Sequence, residues 1–158
     1  MQKKNQTCCF TGHRNIPVNQ YGTIQHSLEA EIICLIHQDV RYFGAGGALG
    51  FDTMAALTVL KLKPQFPHIR LILVLPCKEQ TKGWRQEDVE CYSRILNAAD
   101  KVVYTSERYD QYCMHKRNRH LVDHSMFCIS YLTDRKGGTA YTVNYAKQKG
   151  LQITSLAP

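Results

Sequence analysis

The sequence lacks any long hydrophobic run. Its longest apolar stretch, Leu71 to Pro76, has the length of one β-strand and falls far short of the roughly 20 residues that a membrane-spanning helix needs. The first residues are polar, and the apolar residues after them are interrupted by Gly12, His13 and Arg14, so a secretory signal peptide is not expected. We therefore expect a soluble, cytoplasmic protein that has no membrane partner.

Signatures of metal sites and disulfide frameworks are missing too. The seven cysteines are an odd number, are scattered along the chain and include no Cys-x-x-Cys pair, and the seven histidines show no ligand spacing. We predict reduced, mostly buried thiols and no metal site. Cys77 and Cys113 fall in predicted site loops, and they are the two thiols whose reactivity is worth testing.

Acidic residues are scarce relative to basic ones. The chain has 13 Asp and Glu residues against 20 Lys and Arg residues, which gives a formal net charge of +7. A basic chain favours anionic partners, although charge alone does not choose between a nucleotide and a nucleic acid. The lysines are dispersed and Trp84 is the single tryptophan, so a stacking platform for single-stranded nucleic acid is not favoured.

What the sequence does contain is a regular alternation of short apolar strands and helices. This alternation predicts right-handed βαβ units, and hence a three-layer α/β fold with a mostly parallel central sheet and helices on both faces. The 158 residues fit a single domain, 1–158. The predicted strands are 7–10, 40–43, 69–75, 101–105, 126–132 and 151–156, and the predicted helices are about 19–37, 52–63, 86–98, 114–124 and 139–149.

Glycines gather in the loops where such a fold binds its ligands. Open parallel sheets bind ligands outside the carboxyl ends of their strands. Glycine lets a ligand approach the backbone, and the amides of the following helix attract anions. The segment 44–50 is neither a dinucleotide fingerprint, because it follows the second strand, nor a P-loop, since no Lys-Ser or Lys-Thr follows it. Its candidate ligand contacts are Gly44, Gly46, Gly47, Ala48 and Gly50.

The first and last loops of the predicted site repeat this logic. Thr11, Gly12 and His13 follow the first strand, and the neighbouring Arg14 has the guanidinium that grips a phosphate or a carboxylate. Before the last helix, Thr139 either caps the helix or joins its amides in holding a polar group. The candidate contacts in that last loop are Gly137, Gly138 and Thr139.

Single side chains add to the predicted site. Arg117 and Asn118 share a helix face with apolar residues, and a guanidinium on such a face needs an anionic partner, either a ligand or a structural ion pair. Asp52, at the start of the second helix, either stabilises the helix dipole or serves a ligand, and it is the one weak catalytic candidate. Trp84 either stacks on a base or packs over the sheet edge.

Five motifs occur along the chain in a fixed order: residues 10–14, residues 46–52, Gly83-Trp84, Arg117-Asn118 with 122–125, and residues 137–143. Together they resemble the YpsA-like family of the SLOG superfamily, which also groups the DNA-processing protein DprA with the LOG phosphoribohydrolases. The resemblance spans Phe10 to Gly150. It implies a Rossmann-like domain whose glycine loops hold a nucleotide or an NAD- or ADP-ribose-like ligand, and the wider superfamily adds the expectation of a homodimer.

One departure from the LOG enzymes bears on catalysis. Those enzymes follow their glycine stretch with a glutamate that assists N-glycosidic cleavage, whereas residues 139–144 contain no carboxylate. Cleavage needs acid–base or electrostatic help at the scissile bond, so Asp52 would have to supply it. We therefore predict a sensory or regulatory ligand-binding protein first, a nucleotide-processing hydrolase second, and a DprA-like binder of single-stranded nucleic acid third.

Overall fold

The computed structural model describes residues 3–157, and in them strands and helices alternate after a short 3-10 turn at Lys3–Gln6. The strands are β1 (Thr7–Gly12), β2 (Tyr42–Ala45), β3 (Arg70–Leu75), β4 (Lys101–Tyr104), β5 (Phe127–Tyr131) and β6 (Gln152–Ser155). The helices are α1 (Val18–His37), α2 (Phe51–Leu62), α3 (Gln86–Ala98), α4 (Cys113–Asp123) and α5 (Gly138–Gln148).

The six strands form one parallel sheet in the order β4-β3-β2-β1-β5-β6. The chain builds outward from β1 to β4 and then crosses back to place β5 on the other side of β1. Right-handed crossovers in opposite directions put α1, α2 and α3 on one face, and α4 and α5 on the other. The prediction of a Rossmann-like α/β fold is confirmed, and β1 and β5 flank the switch point at which such folds bind ligands.

The larger hydrophobic core lies between the sheet and helices α1 and α2. The apolar residues that recur every three or four positions along α1, such as Leu28 and Ile32, are all buried, as their spacing predicts. Strand β1 alternates between the two faces, so that Phe10 enters this core while Cys9 enters a smaller cluster under α4 and α5. Phe10 also lies 6.2 Å, centroid to centroid, from the ring of Phe43.

All six strands differ from the sequence-based prediction at one end or both, by two residues in β1 and β2 and by one residue in the others. Strand β1 continues to Gly12, because Thr11 and Gly12 pair with the last residues of β5. Strand β2 starts at Tyr42 and runs to Ala45, because Gly44 pairs with both β1 and β3. Thr11, Gly12 and Gly44 are therefore strand residues rather than loop residues, and the glycine loop begins only at Gly46.

Within residues 3–157, none of the helices combines the length and the apolar character needed to cross a membrane.

Candidate functional site

A cleft of about 290 Å³ opens at the carboxyl ends of β1 and β5. The end of β1 forms one wall, and the starts of α2, α4 and α5 form the others. Phe10 and Met114 also line it, although the sequence did not single them out as ligand contacts. The cleft brings together most of the predicted site residues: Thr11, Gly12, His13, Arg14, Ala48, Asp52, Arg117, Asn118, Gly138 and Thr139.

Arg117 lies on the inner side of α4 and is only 5% exposed. Its Nη1 donates a hydrogen bond to the carbonyl oxygen of Gly46, and its Nε donates to Asn118 Oδ1 at 2.7 Å. Both acceptors are neutral, and Arg117 takes part in none of the ion pairs found among the described residues. Burial lowers the pKa of Arg117, and the charge of Asp52 opposes that shift. The guanidinium is thus a buried cation whose charge is not matched by a contacting carboxylate.

Asp52 lies in the first turn of α2 and is also buried. Its Oδ2 accepts the backbone N–H of Ala48 at 3.3 Å. Burial raises the pKa of Asp52, and the positive charges of Arg117 and Arg14 work in the opposite direction. A Cβ added at Gly46 would lie 2.7 Å from Arg117 Nη1 and 2.9 Å from Asp52 Oδ2. Gly46 therefore serves the site by leaving room for the two charged groups.

The start of α2 is largely satisfied by the protein itself. The N–H of Phe51 donates to the carbonyl of His13 at 3.1 Å, and Asp52 takes the N–H of Ala48. Gly50 has a φ of +78°, and a Cβ there would lie 2.0 Å from the carbonyl oxygen of Arg14. Gly50 thus allows the first loop to approach the backbone closely, and the amides of Ala48 and Phe51 are taken by the protein's own acceptors rather than left for a ligand.

No side chain caps either helix, but the N–H groups of Gly138 and Thr139 at the start of α5, unlike that of Phe51, have no acceptor among the described residues. Gly137 precedes the helix with a φ of +94°, a conformation that favours glycine, and Gly138 and Thr139 line the cleft. Of the two roles left open for Thr139, capping is excluded, since the N-cap position is Gly137. The first N–H groups of an uncapped helix lack intrahelical partners and attract anions. Of the helix starts that line the cleft, the start of α5 is therefore the one best suited to an anion.

His13 and Arg14 lie at the rim and behave differently. The Nε2 of His13 accepts the N–H of Thr133 at 2.9 Å, and its ring packs edge-on against Tyr131 at 5.8 Å. His13 therefore ties the loop after β1 to the loop after β5. Arg14 is exposed, and its charge acts on both Asp52 and Arg117. Arg14 is thus an exposed cation among the residues that line the cleft.

Six of the predicted residues do not line the cleft: Gly44, Gly46, Gly47, Gly50, Trp84 and Gly137. Gly44 is within β2, where a Cβ would come 2.9 Å from Leu121 Cδ2, so it lets α4 pack on the sheet. Gly47 has a φ of +76° and turns toward the side of β3 and α3. Trp84 packs edge-on against Tyr92 at 5.6 Å and lines a separate cavity of about 40 Å³. Of the two roles open to Trp84, packing is the one that the geometry supports.

Gln80 supports the site but carries no signal in the sequence beyond its place in a predicted site loop. It is 6% exposed, and its Nε2 lies 3.5 Å from the carbonyl oxygen of Gly46, the same oxygen that Arg117 binds. Its Oε1 accepts the hydroxyl of Tyr92 at 3.4 Å, and burial raises the pKa of Tyr92 to about 12. Gln80 and Arg117 together fix the glycine loop from two sides.

The two thiols in the predicted site loops are not exposed. Cys77 and Cys113 are both fully buried, and burial raises the pKa of Cys77. All seven cysteines are free. Across the described part of the chain, His, Cys, Asp and Glu side chains do not gather in groups of three that could hold a metal ion.

Comparison with known proteins gives relatives for the sequence and for the fold. The chain is 36% identical over 151 residues to an uncharacterized SPbeta prophage-derived protein, YoqJ, of Bacillus subtilis, covering 85% of this chain and 88% of that protein. It is 33% identical over 132 residues to a UPF0398 protein of Halalkalibacterium halodurans, covering 82% of this chain and 70% of the relative.

Solved structures share the fold at low sequence identity. DNA processing protein A (DprA) of Streptococcus pneumoniae superimposes with a TM-score of 0.69 at 14% identity, over 98% of this chain and 51% of that one. DprA of Helicobacter pylori, described for its single-stranded DNA binding mode, gives a TM-score of 0.68 at 17% identity, over 98% and 66% of the two chains. The chain thus spans about half of the first protein and just under two thirds of the second.

A family model extends this likeness through nearly the whole described structure, from β1 to β6. The match covers residues 8–155, which include every element that lines the cleft. The protein therefore belongs to YpsA, the YspA SLOG family.

Proposed function

We propose that this protein binds a nucleotide-derived ligand of the NAD or ADP-ribose class in the cleft, in a sensory or regulatory role in the cytoplasm. The observation that carries the proposal is the buried Arg117 guanidinium, which makes no contact ion pair within residues 3–157 and lines the same cleft as the uncapped start of α5. A buried cation and free helix amides are together suited to one negatively charged guest.

The size of the cleft supports a guest that is only partly enclosed. Pockets for whole drug-sized ligands usually measure about 300–1,000 Å³, and this cleft holds about 290 Å³. We propose that the phosphates lie between the start of α5 and Arg117, and that Arg14 closes over them from the rim. The base then extends toward solvent, so that the phosphate and ribose supply most of the recognition.

The absence of a carboxylate from residues 139–144 supports binding over turnover. Asp52 nevertheless favours a second candidate, a hydrolase that cleaves an N-glycosidic bond. It lines the cleft, and burial raises its pKa, as is common for groups that transfer protons at functional sites. Incubation with AMP and ADP-ribose followed by chromatography tests this candidate: base or ribose phosphate released by the native chain, but not by Asp52→Asn, would support it.

Calorimetric titration tests the binding proposal. We expect ADP-ribose and NAD to bind saturably, AMP more weakly, and adenosine, which has no phosphate, not at all. Arg14→Ala removes an exposed side chain and should leave the fold unchanged. Since a hydrogen bond to a charged group is worth about 1.5–3 kcal/mol, it should weaken ADP-ribose binding about 10- to 100-fold.

Arg94→Ala is the matched control, because Arg94 is an exposed arginine on α3 that does not line the cleft. It should bind ADP-ribose as the native chain does. Equal binding by Arg14→Ala and Arg94→Ala, or no binding of any phosphate-bearing compound at millimolar concentration, would overturn the proposal.

A further inference from the structure

Helices α4 and α5 cover only part of their face of the sheet. Helix α4 packs on β1 and β3, and α5 packs on β1 and β6. On this face the edge of the sheet at β4 is therefore left open. Two adjoining cavities, of about 630 Å³ and about 730 Å³, follow this open region and share Val103, His120, Asp123 and His124. We call the two cavities together the α4 groove. It has no lining residue in common with the cleft.

Exposed tyrosines line the α4 groove. Tyr104 is 38% exposed, Tyr112 is 67% exposed and Tyr141 is 37% exposed, and all three border the larger cavity. Tyr42 lies at the far end, at the start of β2. A tyrosine ring that keeps one face in solvent is a surface on which a nucleobase stacks.

Cations accompany these rings. Lys3 Nζ lies 5.6 Å from the centroid of Tyr42, Lys78 Nζ lies 5.6 Å from that of Tyr104, and Arg119 Cζ lies 5.7 Å from that of Tyr141. The ion pairs of the described residues include none of these cations, and they also omit the groove-lining Lys101 and Lys116. Three of the four rings, those of Tyr42, Tyr104 and Tyr141, therefore have beside them a positive charge that takes part in no ion pair of the described residues.

The carboxylates of the α4 groove are already engaged. Asp100 pairs with Lys63 at 2.5 Å and accepts the N–H of Leu71. Asp123 accepts the hydroxyl of Tyr145 at 2.7 Å. The lining of the groove therefore carries more positive than negative charge, in keeping with the net charge of +7 of the chain. Charge and shape both favour an extended polyanion.

We propose that the α4 groove binds single-stranded nucleic acid, with bases stacked on the tyrosines and phosphates held by the neighbouring lysines and Arg119. Two cavities laid end to end suit an extended strand rather than a mononucleotide. A duplex has its base faces covered along its length, so it gains only the charge contacts. This site stands independently of the proposed ligand in the cleft.

Fluorescence anisotropy of the full chain with a labelled oligothymidylate, an oligouridylate and a hairpin duplex tests the proposal. We expect a single strand to bind more tightly than the duplex, with the two single strands distinguishing DNA from RNA as the preferred form. Phosphate contacts from the five cations named above predict that the logarithm of the binding constant falls with the logarithm of salt concentration with a slope of about −3.5. The charge-reversal variant Lys116→Glu/Arg119→Glu should weaken binding by at least about 10-fold.

A second variant separates stacking from charge. Tyr104→Ala/Tyr112→Ala keeps the net charge and should weaken single-strand binding about 5- to 100-fold while leaving duplex binding unchanged. The matched control for the charge-reversal variant is Lys82→Glu/Arg94→Glu, which makes the same change in charge at exposed residues outside the α4 groove. It should weaken single-strand binding less than Lys116→Glu/Arg119→Glu does.

Four outcomes would overturn the proposal. One is equal binding by the charge-reversal variant and its control, and another is duplex binding as tight as single-strand binding. The third is a stable dimer in light scattering that Tyr104→Ala/Tyr112→Ala converts to monomer, because a second copy of the chain would then cover the groove. If Arg14→Ala, rather than the tyrosine variant, abolished single-strand binding, the strand would occupy the cleft, and this proposal would fail separately from the cleft's ability to bind.

Discussion

A methyl group added at Gly46 should disrupt the site from within. The new Cβ would lie 2.7 Å from Arg117 Nη1, closer than side chains tolerate, so the guanidinium must leave the Gly46 carbonyl. Losing a hydrogen bond to a buried charge costs about 1.5–3 kcal/mol. For a chain of this size that corresponds to a fall in Tm of about 3–12 °C. The same displacement should weaken ADP-ribose binding about 10- to 100-fold, because Arg117 no longer points into the cleft.

Gly44→Ala provides the matched control, two residues earlier, within β2. Its Cβ would lie 2.9 Å from Leu121 Cδ2, so it strains the packing of α4 without touching Arg117 directly. Overpacking of this kind costs about 1–3 kcal/mol, a fall in Tm of about 2–12 °C. We expect the two variants to lose similar stability, and only Gly46→Ala to lose binding by calorimetry. Native-like affinity in Gly46→Ala, or an equal loss in Gly44→Ala, would refute the role given to Arg117.

The remaining predictions concern individual titratable groups. Burial raises the pKa of Asp52 above its usual 3.8, so the ionised carboxylate lowers the stability of the fold at pH values above the folded-state pKa. Asp52→Asn should therefore match or exceed the native Tm at pH 7, and this advantage should vanish toward pH 4. The pKa of Asp100 is lowered because its hydrogen bonds and the Lys63 charge outweigh burial; its stabilisation is present above 3.8 and is lost as pH falls through the lower folded value. Asp100→Asn should therefore lower Tm by about 1–4 °C at pH 7 and by less at pH 3 in calorimetric scans. Cys34 is exposed and Cys77 is buried with a raised pKa, so a thiol reagent at pH 8 should label Cys34 within minutes and Cys77 only after unfolding; rapid native labelling of Cys77 would contradict the fold around it.

The sequence predicts the elements because each follows from local patterns. The spacing of Leu28 and Ile32 defines the buried face of α1, and the unbroken apolar run near Leu71 marks a central strand. Strand ends are less predictable, because they depend on partners distant in the chain. The glycine-rich pattern of residues 44–50 predicts that Gly44 lies in a loop, yet it pairs with Cys9 on one side and Ile72 on the other.

The site is predictable only in part, for a similar reason. The helical position of Arg117 indicates its inward side, but its partner, the Gly46 carbonyl, is 71 residues away. The glycines after β2 indicate close backbone approach, but their pattern does not show that the approaching group is the loop at Arg14 rather than a ligand. Gln80 gives no signal, because an amide in a loop looks the same whether or not it is buried.

The α4 groove could not be predicted from the sequence for the same reason. Its cations and rings come from segments as distant as Lys3, Tyr42 and Arg119, so along the chain they are dispersed. They meet because the strand order places β4 at the far edge, beyond the cover of α4. Strand order depends on which crossovers reverse direction, and the alternation of strands and helices does not contain that information.

The central claim is that a phosphate-bearing ligand lies between the start of α5 and Arg117, and its most direct test is a two-dimensional amide NMR titration with ADP-ribose. We expect the largest shift changes at the amides of Gly138 and Thr139, with Gly12 following and Gly22, which lies outside the cleft on α1, unmoved. Shift changes that leave Gly138 and Thr139 in place, or that centre on the α4 groove, would contradict the account.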